Sequence, residues 1–214
     1  MEKSKILAVG FILGLFFSIA DANPMPEDRC YPFKITEGMQ LDSIFGDSLW
    51  VVSRINKLSP EFMLPGQTIQ VPYDFEWAEN WSPLSDFLLE YQTQEKLIYI
   101  NLSEQWFGAY EYGQLIFSGP ICSGRRAQDS KGRSKFPTPT GIFKIESKEL
   151  KHFSKKFEVW MPYAMFFYRG MAIHTGVLPG RPASGGCVRL FSQDAEKLFN
   201  WAEIGTPVII TKTK

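Results

Sequence analysis

The chain has 214 residues, with 23 basic and 23 acidic side chains and a formal net charge of zero. This balance gives no support to nucleic-acid binding or to bulk electrostatic attraction between the protein and a charged partner. Hydrophobic residues make up 44% of the sequence and aromatic residues 15%, which favours a packed, β-rich protein over a disordered chain.

Residues 1–22 have the pattern of a secretory signal peptide. Lys3 and Lys5 precede an apolar run over residues 6–20, and Ala20-Asp21-Ala22 supplies small residues for cleavage. The run is shorter than the roughly 20 residues that a membrane-spanning helix needs, and an uncleaved anchor is the alternative. We therefore expect an exported protein whose remaining residues can build one sizeable core, or a moderate domain with a small one.

Residues 31–73 are predicted to form a compact strand–helix–helix–strand unit. Apolar residues recur at helical spacing in two short segments, and Pro65-Gly66 then turns the chain into a strand that Pro72 ends. This unit resembles a LysM module, a class of module that binds N-acetylglucosamine-containing glycans such as peptidoglycan. The resemblance is carried by Glu37-Gly38-Met39-Gln40-Leu41, Ile55-Asn56 and Leu64-Pro65-Gly66-Gln67-Thr68-Ile69-Gln70-Val71-Pro72. A small packing subdomain that binds nothing is the alternative.

Residues 74–95 are a connector rich in aromatic and acidic residues, with a helix predicted over 85–92. From Lys96 the hydrophobic period becomes that of strands, and we expect a separate domain over residues 96–212. Its strands are predicted over 97–100, 105–112, 114–118, 141–145, 157–160, 171–174 and 207–211. One helix is predicted after Ser192, which has the residue type of an N-cap.

The chemistry of the chain concentrates in a Gly-rich block that contains His174 and Cys187. A cysteine becomes a strong nucleophile when a neighbouring histidine takes or shares its proton. Gly185 and Gly186 leave room for backbone N–H groups to approach a substrate oxygen and stabilise an oxyanion. The alternative is a buried structural cysteine beside an ordinary core histidine. With two histidines and three separated cysteines in the whole chain, a metal site is not expected, and no cofactor is implied.

Three motifs in order resemble the signature of the L,D-transpeptidase catalytic domain, also called the YkuD domain. They are Thr138-Pro139-Thr140-Gly141-Ile142-Phe143, Met161-Pro162-Tyr163-Ala164-Met165-Phe166-Phe167, and Ile173-His174-Thr175-Gly176 with Ser184-Gly185-Gly186-Cys187-Val188-Arg189. The resemblance covers roughly residues 96–212 and implies a mainly β, sandwich-like or barrel-like domain with few helices. One position departs from the family pattern, because Gly185 stands where Ser-His-Gly-Cys has its histidine.

The resemblance implies a role for each residue of the block. Cys187 would be the nucleophile, His174 its base, and Thr175 would orient the imidazole through its hydroxyl or its backbone carbonyl. The amides of Gly186 and Cys187 would bind the oxyanion. Four further residues are expected around the substrate: Tyr163 and Met165 in the donor groove, Ser184 shaping the turn, and Arg189 binding a carboxylate or bracing the site.

By the same resemblance, the protein would act on peptidoglycan tetrapeptide stems through a thioester. An amine of a second stem would give a 3→3 cross-link, a lysine of an acceptor protein would give attachment to the wall, and water would give L,D-carboxypeptidase trimming. Cys187 is also where a carbapenem would react. The expected location is the periplasm or cell envelope, with stem peptides and glycan strands as partners. A wall-binding protein with an inactive catalytic domain is the rival hypothesis.

Export would place the thiols in an oxidising compartment. If Cys187 has to stay free, Cys30 and Cys122 are left, and they could form a disulfide between the N-terminal unit and the following domain. Two unpaired thiols are the alternative.

Overall fold

The computed structural model describes residues 25–125 and 136–212, so the predicted signal peptide at residues 1–22 lies outside the described residues. The strands are β1 Cys30–Lys34, β2 Thr68–Pro72, β3 Leu97–Asn101, β4 Trp106–Glu111, β5 Gln114–Pro120, β6 Gly141–Lys144, β7 Ser147–Ser154, β8 Val159–Tyr168, β9 Met171–Thr175, β10 Val188–Leu190 and β11 Pro207–Thr211. The α-helices are α1 Leu41–Phe45, α2 Leu49–Asn56, α3 Phe75–Asn80 and α4 Ser192–Trp201. Within the described ranges no helix is long and apolar enough to cross a membrane.

The N-terminal unit has the strand–helix–helix–strand order that its sequence predicts. Strand β1 pairs antiparallel with β2, and α1 and α2 lie between them in the chain. Helix α2 packs Val52 against Ile69 and Val71 of β2 in a small core. Asn56 fastens the end of the helix to the strand, because its side-chain amide donates to the Gln70 carbonyl at 2.7 Å and accepts from the Gln70 amide at 2.8 Å.

Two larger sheets form a β-sandwich, as expected for residues 96–212. The five-stranded sheet has the order β5-β4-β3-β11-β6, with β3 and β11 parallel, and the four-stranded sheet has the order β10-β9-β8-β7. Their facing side chains, together with the apolar face of α4, form the main core. The fold is mainly β with few helices, in agreement with the sequence prediction.

The outer face of the five-stranded sheet is covered by a second core. Val51 and Ile55 of α2 and Trp81 of the connector pack there against Tyr99 of β3 and Trp106 of β4. Strands β3 and β4 are therefore buried on both faces, which explains why their sequence is almost continuously apolar instead of alternating. The N-terminal unit and the connector are thus packed parts of the same body.

The sequence misplaces two helical elements and misses two strands. The connector has α3, capped by the Asp74 carboxylate, which accepts from the Trp77 amide at 3.0 Å, and only a short 3₁₀ helix at Leu89–Tyr91 where a helix over 85–92 was predicted. Ser192 is the first residue of α4 and not its N-cap. Strand β7 was not predicted, because its lysine-rich sequence is largely exposed and gives no clear alternation. Strand β10 was not predicted either, because three residues are too few to show an alternating pattern. Its partner β8 begins at Val159, so Phe157 lies in the hairpin turn between them.

Candidate active site

Two parallel strands bring His174 and Cys187 to one cavity. Strand β10 pairs with β9 so that Val188 lies opposite Ile173 and Arg189 opposite His174. Cys187, one residue before β10, therefore comes next to Ala172, whose amide donates to its sulfur at 3.4 Å. His174, Cys187 and Arg189 all line a cavity of about 430 Å³. The loop between the two strands contains Pro179, Gly180 and Pro182, which exclude a helix there.

The imidazole of His174 is held by the backbone of the next residue. Its Nδ1 lies 2.7 Å from the Thr175 carbonyl oxygen. A carbonyl only accepts, so Nδ1 carries the hydrogen in the neutral ring and Nε2 keeps a free lone pair. Thr175 was expected to orient the ring through its hydroxyl or its backbone carbonyl, and the structure shows the carbonyl contact. The hydroxyl oxygen of Thr175 is buried without a partner among the described residues.

Burial keeps both members of the pair uncharged at neutral pH. The pKa of His174 is lowered to about 4, mainly by burial and further by the charges of Arg189 and His152, although the hydrogen bond to Thr175 opposes this shift. Burial raises the pKa of the Cys187 thiol, with the Ala172 amide and Arg189 acting in the opposite direction. At neutral pH the cavity is therefore lined by a thiol and by a neutral imidazole, and a neutral imidazole is able to accept a proton.

The turn before Cys187 is held by Ser184 and Thr138. The buried Ser184 hydroxyl accepts from the Gly186 amide at 3.1 Å and donates to the Cys187 carbonyl. The Thr138 hydroxyl donates to the Gly186 carbonyl at 2.9 Å and accepts from the Gly124 amide at 2.8 Å. Gly186 has φ +113°, a backbone conformation that residues with a side chain rarely adopt.

These contacts change the expected oxyanion site. Because the Gly186 amide donates to Ser184, it is not free to bind an oxyanion in this structure, contrary to the prediction. The Cys187 amide has no such contact within the described part of the chain and is the donor that the turn leaves available.

The prediction that Tyr163 and Met165 line the substrate groove is wrong. Met165 is fully buried in the sandwich core, and the Tyr163 ring packs on Phe199 with centroids 5.7 Å apart. Tyr163 has φ +55°, which interrupts the alternation of β8, so Met161 lies against Cys187 instead. A strand whose alternation changes phase at one residue cannot be assigned to a face from its sequence alone.

Arg189 presents a cation to the cavity. Its aliphatic stem lies along Gly176, where an added Cβ would come within 2.8 Å of it. The described residues contain two ion pairs, and neither includes Arg189. The guanidinium is therefore available to a carboxylate, which favours the first of its two expected roles.

Phe157 covers the position where the family pattern has a histidine. A Cβ placed on Gly185 would lie 2.7 Å from Cζ and 2.9 Å from Cε1 of the Phe157 ring. The ring, with Val159 and Trp160, forms an aromatic and aliphatic wall of the cavity, which we call the hairpin wall. Its residues are 40%, 47% and 65% exposed, so substrate can cover further apolar surface there.

The N-terminal unit holds the loop between His174 and Cys187, a contact that sequence reasoning missed. Ser59, just after α2, donates its amide to the Leu178 carbonyl at 2.8 Å and accepts the Leu178 amide on its hydroxyl at 2.9 Å. Leu58 and Pro179 form a β-bridge beside this contact. The partners are 119 positions apart in the sequence, so no local signal predicts the pairing.

The structure does not contain the disulfide that Cys30 and Cys122 could form. Both cysteines are free and buried. The Cys30 thiol points to the Met25 sulfur at 3.6 Å, and the Cys122 thiol donates to the Arg181 carbonyl at 3.4 Å. Cys122 and Arg189 exchange two backbone hydrogen bonds, so Cys122 braces the strand that follows Cys187.

Comparisons with known proteins find similar sequences and similar folds. The family model for YkuD, the L,D-transpeptidase catalytic domain, matches residues 95–210. "Probable L,D-transpeptidase 3" of Mycobacterium tuberculosis is 32% identical over 99 residues, covering 38% of this chain and 36% of that protein. A crystal structure of an L,D-transpeptidase from Stackebrandtia nassauensis has a TM-score of 0.50 at 29% identity, covering 56% of this chain and 57% of that one. An L,D-transpeptidase structure from Xylanimonas cellulosilytica shares the fold, with a TM-score of 0.57 at 21% identity over 88% of this chain and 99% of that one. The chain spans about a third of the curated relative and little more than half of the first solved structure.

Proposed function

The chain belongs to the family of the L,D-transpeptidase (YkuD) catalytic domain, and from this premise we propose that it is an exported L,D-transpeptidase of peptidoglycan with Cys187 as nucleophile. The observation that carries the proposal is the hydrogen bond from His174 to the Thr175 carbonyl, which leaves Nε2 as the free base in the cavity that contains Cys187. A basic nitrogen and a thiol thus line one cavity, and they are the two groups that activation of a cysteine nucleophile needs.

The first half of the reaction forms a thioester. The Cys187 sulfur attacks the carbonyl of the third residue of a tetrapeptide stem, and the thiol proton passes to Nε2 of His174. The carbonyl oxygen becomes an oxyanion beside the Cys187 amide. When the C–N bond to the terminal D-alanine breaks, His174 returns the proton to the leaving amine, and free D-alanine departs.

The second half transfers the acyl group. An amine of another stem attacks the thioester carbon, loses a proton to His174, and displaces the Cys187 thiolate, which recovers that proton. The product is a 3→3 cross-link. A lysine of an acceptor protein, or water, can take the place of the amine, and water would give carboxypeptidase trimming.

Arg189 and the hairpin wall supply the two kinds of contact that a stem peptide needs. The guanidinium can bind a substrate carboxylate in two parallel hydrogen bonds, while the wall covers apolar parts of the donor. We further infer that the N-terminal unit is a LysM-type module that binds glycan strands. Its support is the strand–helix–helix–strand order together with the motif residues around Asn56 and Gln70. The protein would then work in the periplasm or cell envelope, against the wall.

The test is mass spectrometry of products after the protein lacking residues 1–22 is mixed with a disaccharide-tetrapeptide. A cross-linked dimer with released D-alanine is expected, and tripeptide with D-alanine alone would assign a carboxypeptidase. Cys187→Ala should lose turnover by about 10³-fold or more while its circular dichroism is unchanged. Cys122→Ala is the matched control, because it removes a second buried thiol and should keep most activity. Full turnover in a folded Cys187→Ala protein would refute the proposal.

A further inference from the structure

A second cavity, of about 300 Å³, lies where helix α2 meets strand β5 and helix α4. It shares no lining residue with the cavity around Cys187. Its floor is polar and buried, and its rim is exposed and charged. The floor residues are Arg54, Ser118 and Asp194, and the charged rim residues are Glu79, Asp86 and Lys197. Charges of both signs therefore meet in a space at the lower end of the range for small-molecule sites.

Arg54 provides a buried cation with spare donors. Arg54 is 3% exposed, and its guanidinium carbon lies 4.9 Å from the ring centroid of Trp106. Nη2 donates to the Trp81 carbonyl and the Ser118 hydroxyl, both at 3.4 Å, which is long for such bonds. Nε has no partner among the described residues. Burial lowers the pKa of Arg54, but a guanidinium keeps its charge in a protein.

Asp194 provides a buried anion in the same cavity. It is 7% exposed, and within the described part of the chain its Oδ2 has no hydrogen-bond partner. The carboxylate lies against Gly119 of β5, where a Cβ would come within 2.4 Å of Oδ2, so a glycine is needed to admit it. Burial raises the pKa of Asp194 to about 6, against smaller opposite effects of Arg54 and Lys197.

The two charges do not satisfy each other. They interact electrostatically, but neither takes part in the two ion pairs that the described residues form. Keeping opposite charges buried and unpaired is costly, and hydrophobic residues of similar size would remove that cost. A ligand that brought a carboxylate to one group and an ammonium to the other would satisfy both at once.

A single charge fits this cavity poorly. A simple anion would gain from Arg54 but be repelled by Asp194, Glu79 and Asp86, and a simple cation would be repelled by Arg54 and Lys197. We propose that the cavity binds an α-amino acid group as its zwitterion, with the carboxylate on Arg54 and the ammonium on Asp194.

Two sources can supply this chemistry, and both rest on the proposed function. One is the free D-alanine that the transpeptidation releases. The other is a stem whose diamino acid carries an ammonium and a carboxylate at the end of its side chain, which would make the cavity an anchoring point for peptidoglycan. D-alanine binding alone would favour the first source, and binding of a disaccharide-tripeptide with such a diamino acid would favour the second.

Isothermal titration calorimetry of the Cys187→Ala protein tests the proposal without turnover. The probes are D-alanine, the tripeptide, and two half-ligands, propionate and methylamine. Either D-alanine or the tripeptide should bind one to one, and each half-ligand at least tenfold more weakly. Asp194→Asn, which keeps the shape of the side chain, should weaken binding of whichever zwitterion binds the parent protein by at least tenfold. Glu196→Gln, the same change at an exposed position of α4, should leave it unchanged.

Arg54→Lys, which keeps the charge but not the planar fork, gives a second variant if Asp194→Asn fails to fold. The proposal is overturned if neither D-alanine nor the tripeptide binds at least tenfold more tightly than propionate and methylamine, or if both variants bind the zwitterion as tightly as the parent does. Because turnover of the tetrapeptide by the unmodified protein is measured separately, loss of zwitterion binding with intact turnover would reject this site alone. Zwitterion binding without turnover would reject the proposed function alone.

Discussion

The contact between Gly185 and Phe157 predicts that the two positions are energetically coupled. A Cβ on Gly185 would lie 2.7, 2.9 and 3.3 Å from three carbon atoms of the ring, whereas carbon atoms in good contact are about 3.5–4.0 Å apart. In Gly185→Ala, either the ring stays and the site is overpacked, or it swings into solvent. Overpacking costs about 1–3 kcal/mol. Releasing the ring, which is 40% exposed, uncovers roughly 100 Å² of apolar surface and costs about 2–3 kcal/mol.

Both routes give the same expected result for the free energy of unfolding. Gly185→Ala should lower it by about 1–3 kcal/mol in the parent protein, measured by urea denaturation with tryptophan fluorescence. In a Phe157→Ala background the clash is gone, and because Gly185 has no left-handed φ, alanine there should be neutral or stabilising by up to about 1 kcal/mol. Gly185→His should likewise slow D-alanine release in the parent protein, and the Phe157→Ala background should restore that rate.

Gly186→Ala is the matched control for this cycle. Its φ of +113° makes a side chain strained whatever lies nearby, so its cost should be equal in both backgrounds. Equal costs for Gly185→Ala in the two backgrounds, within about 0.5 kcal/mol, would show that the Phe157 ring does not occupy the space above Gly185.

Three further predictions follow from the site. The pKa of His174, lowered to about 4, should place the acid limb of kcat/KM near pH 4, since the base is lost only when the imidazole is protonated. Arg189→Gln removes a cation that disfavours the imidazolium, so this limb should move to higher pH, and a limb that stays in place would contradict the electrostatic argument. Ser59→Ala deletes the hydroxyl that accepts from Leu178, and kcat for D-alanine release should fall several-fold, with a loss of about 1 kcal/mol in unfolding free energy. Unchanged kcat would mean that the loop does not need this contact. Thr138→Val leaves a buried carbonyl and amide without their shared partner, so unfolding free energy should fall by about 1–3 kcal/mol in the same urea assay; Thr138→Ser should restore most of it.

The strand that contains His174 could be predicted from the sequence because its signals are local. The residues around His174 predict a strand followed by a loop, and the structure has β9 and a loop there, whereas the short strand β10 after Cys187 was not predicted. The side chain that packs against Cys187 could not be predicted in this way. Whether Met165 or Met161 lies against Cys187 depends on a left-handed φ at Tyr163, a backbone feature that the residue type disfavours and the sequence therefore hides.

Contacts between distant segments were equally hidden. The residues around Phe157 predict that it lies in a strand. It lies in a turn instead, because Glu158, with φ +52°, reverses the chain immediately afterwards. Only the folded hairpin shows that its ring stands above Gly185, where a side chain would collide with it. The same holds for Arg54 and Asp194, which look like ordinary charged helix residues until both are found at the floor of one cavity.

The packing of the N-terminal unit decides how its proposed glycan binding can be measured. Deletion of residues 31–73 would remove Val51 and Ile55 from the outer face of the five-stranded sheet and uncover part of Trp106, against which Trp81 of the connector would still pack. It would also release Leu178, and with it the loop that leads from His174 to Cys187. A truncated protein would therefore lose stability and catalysis together, whether or not the unit binds glycan. Point substitutions at exposed positions of the unit, judged by sacculus binding in a protein with normal kcat on soluble stems, are the experiment that separates the two roles.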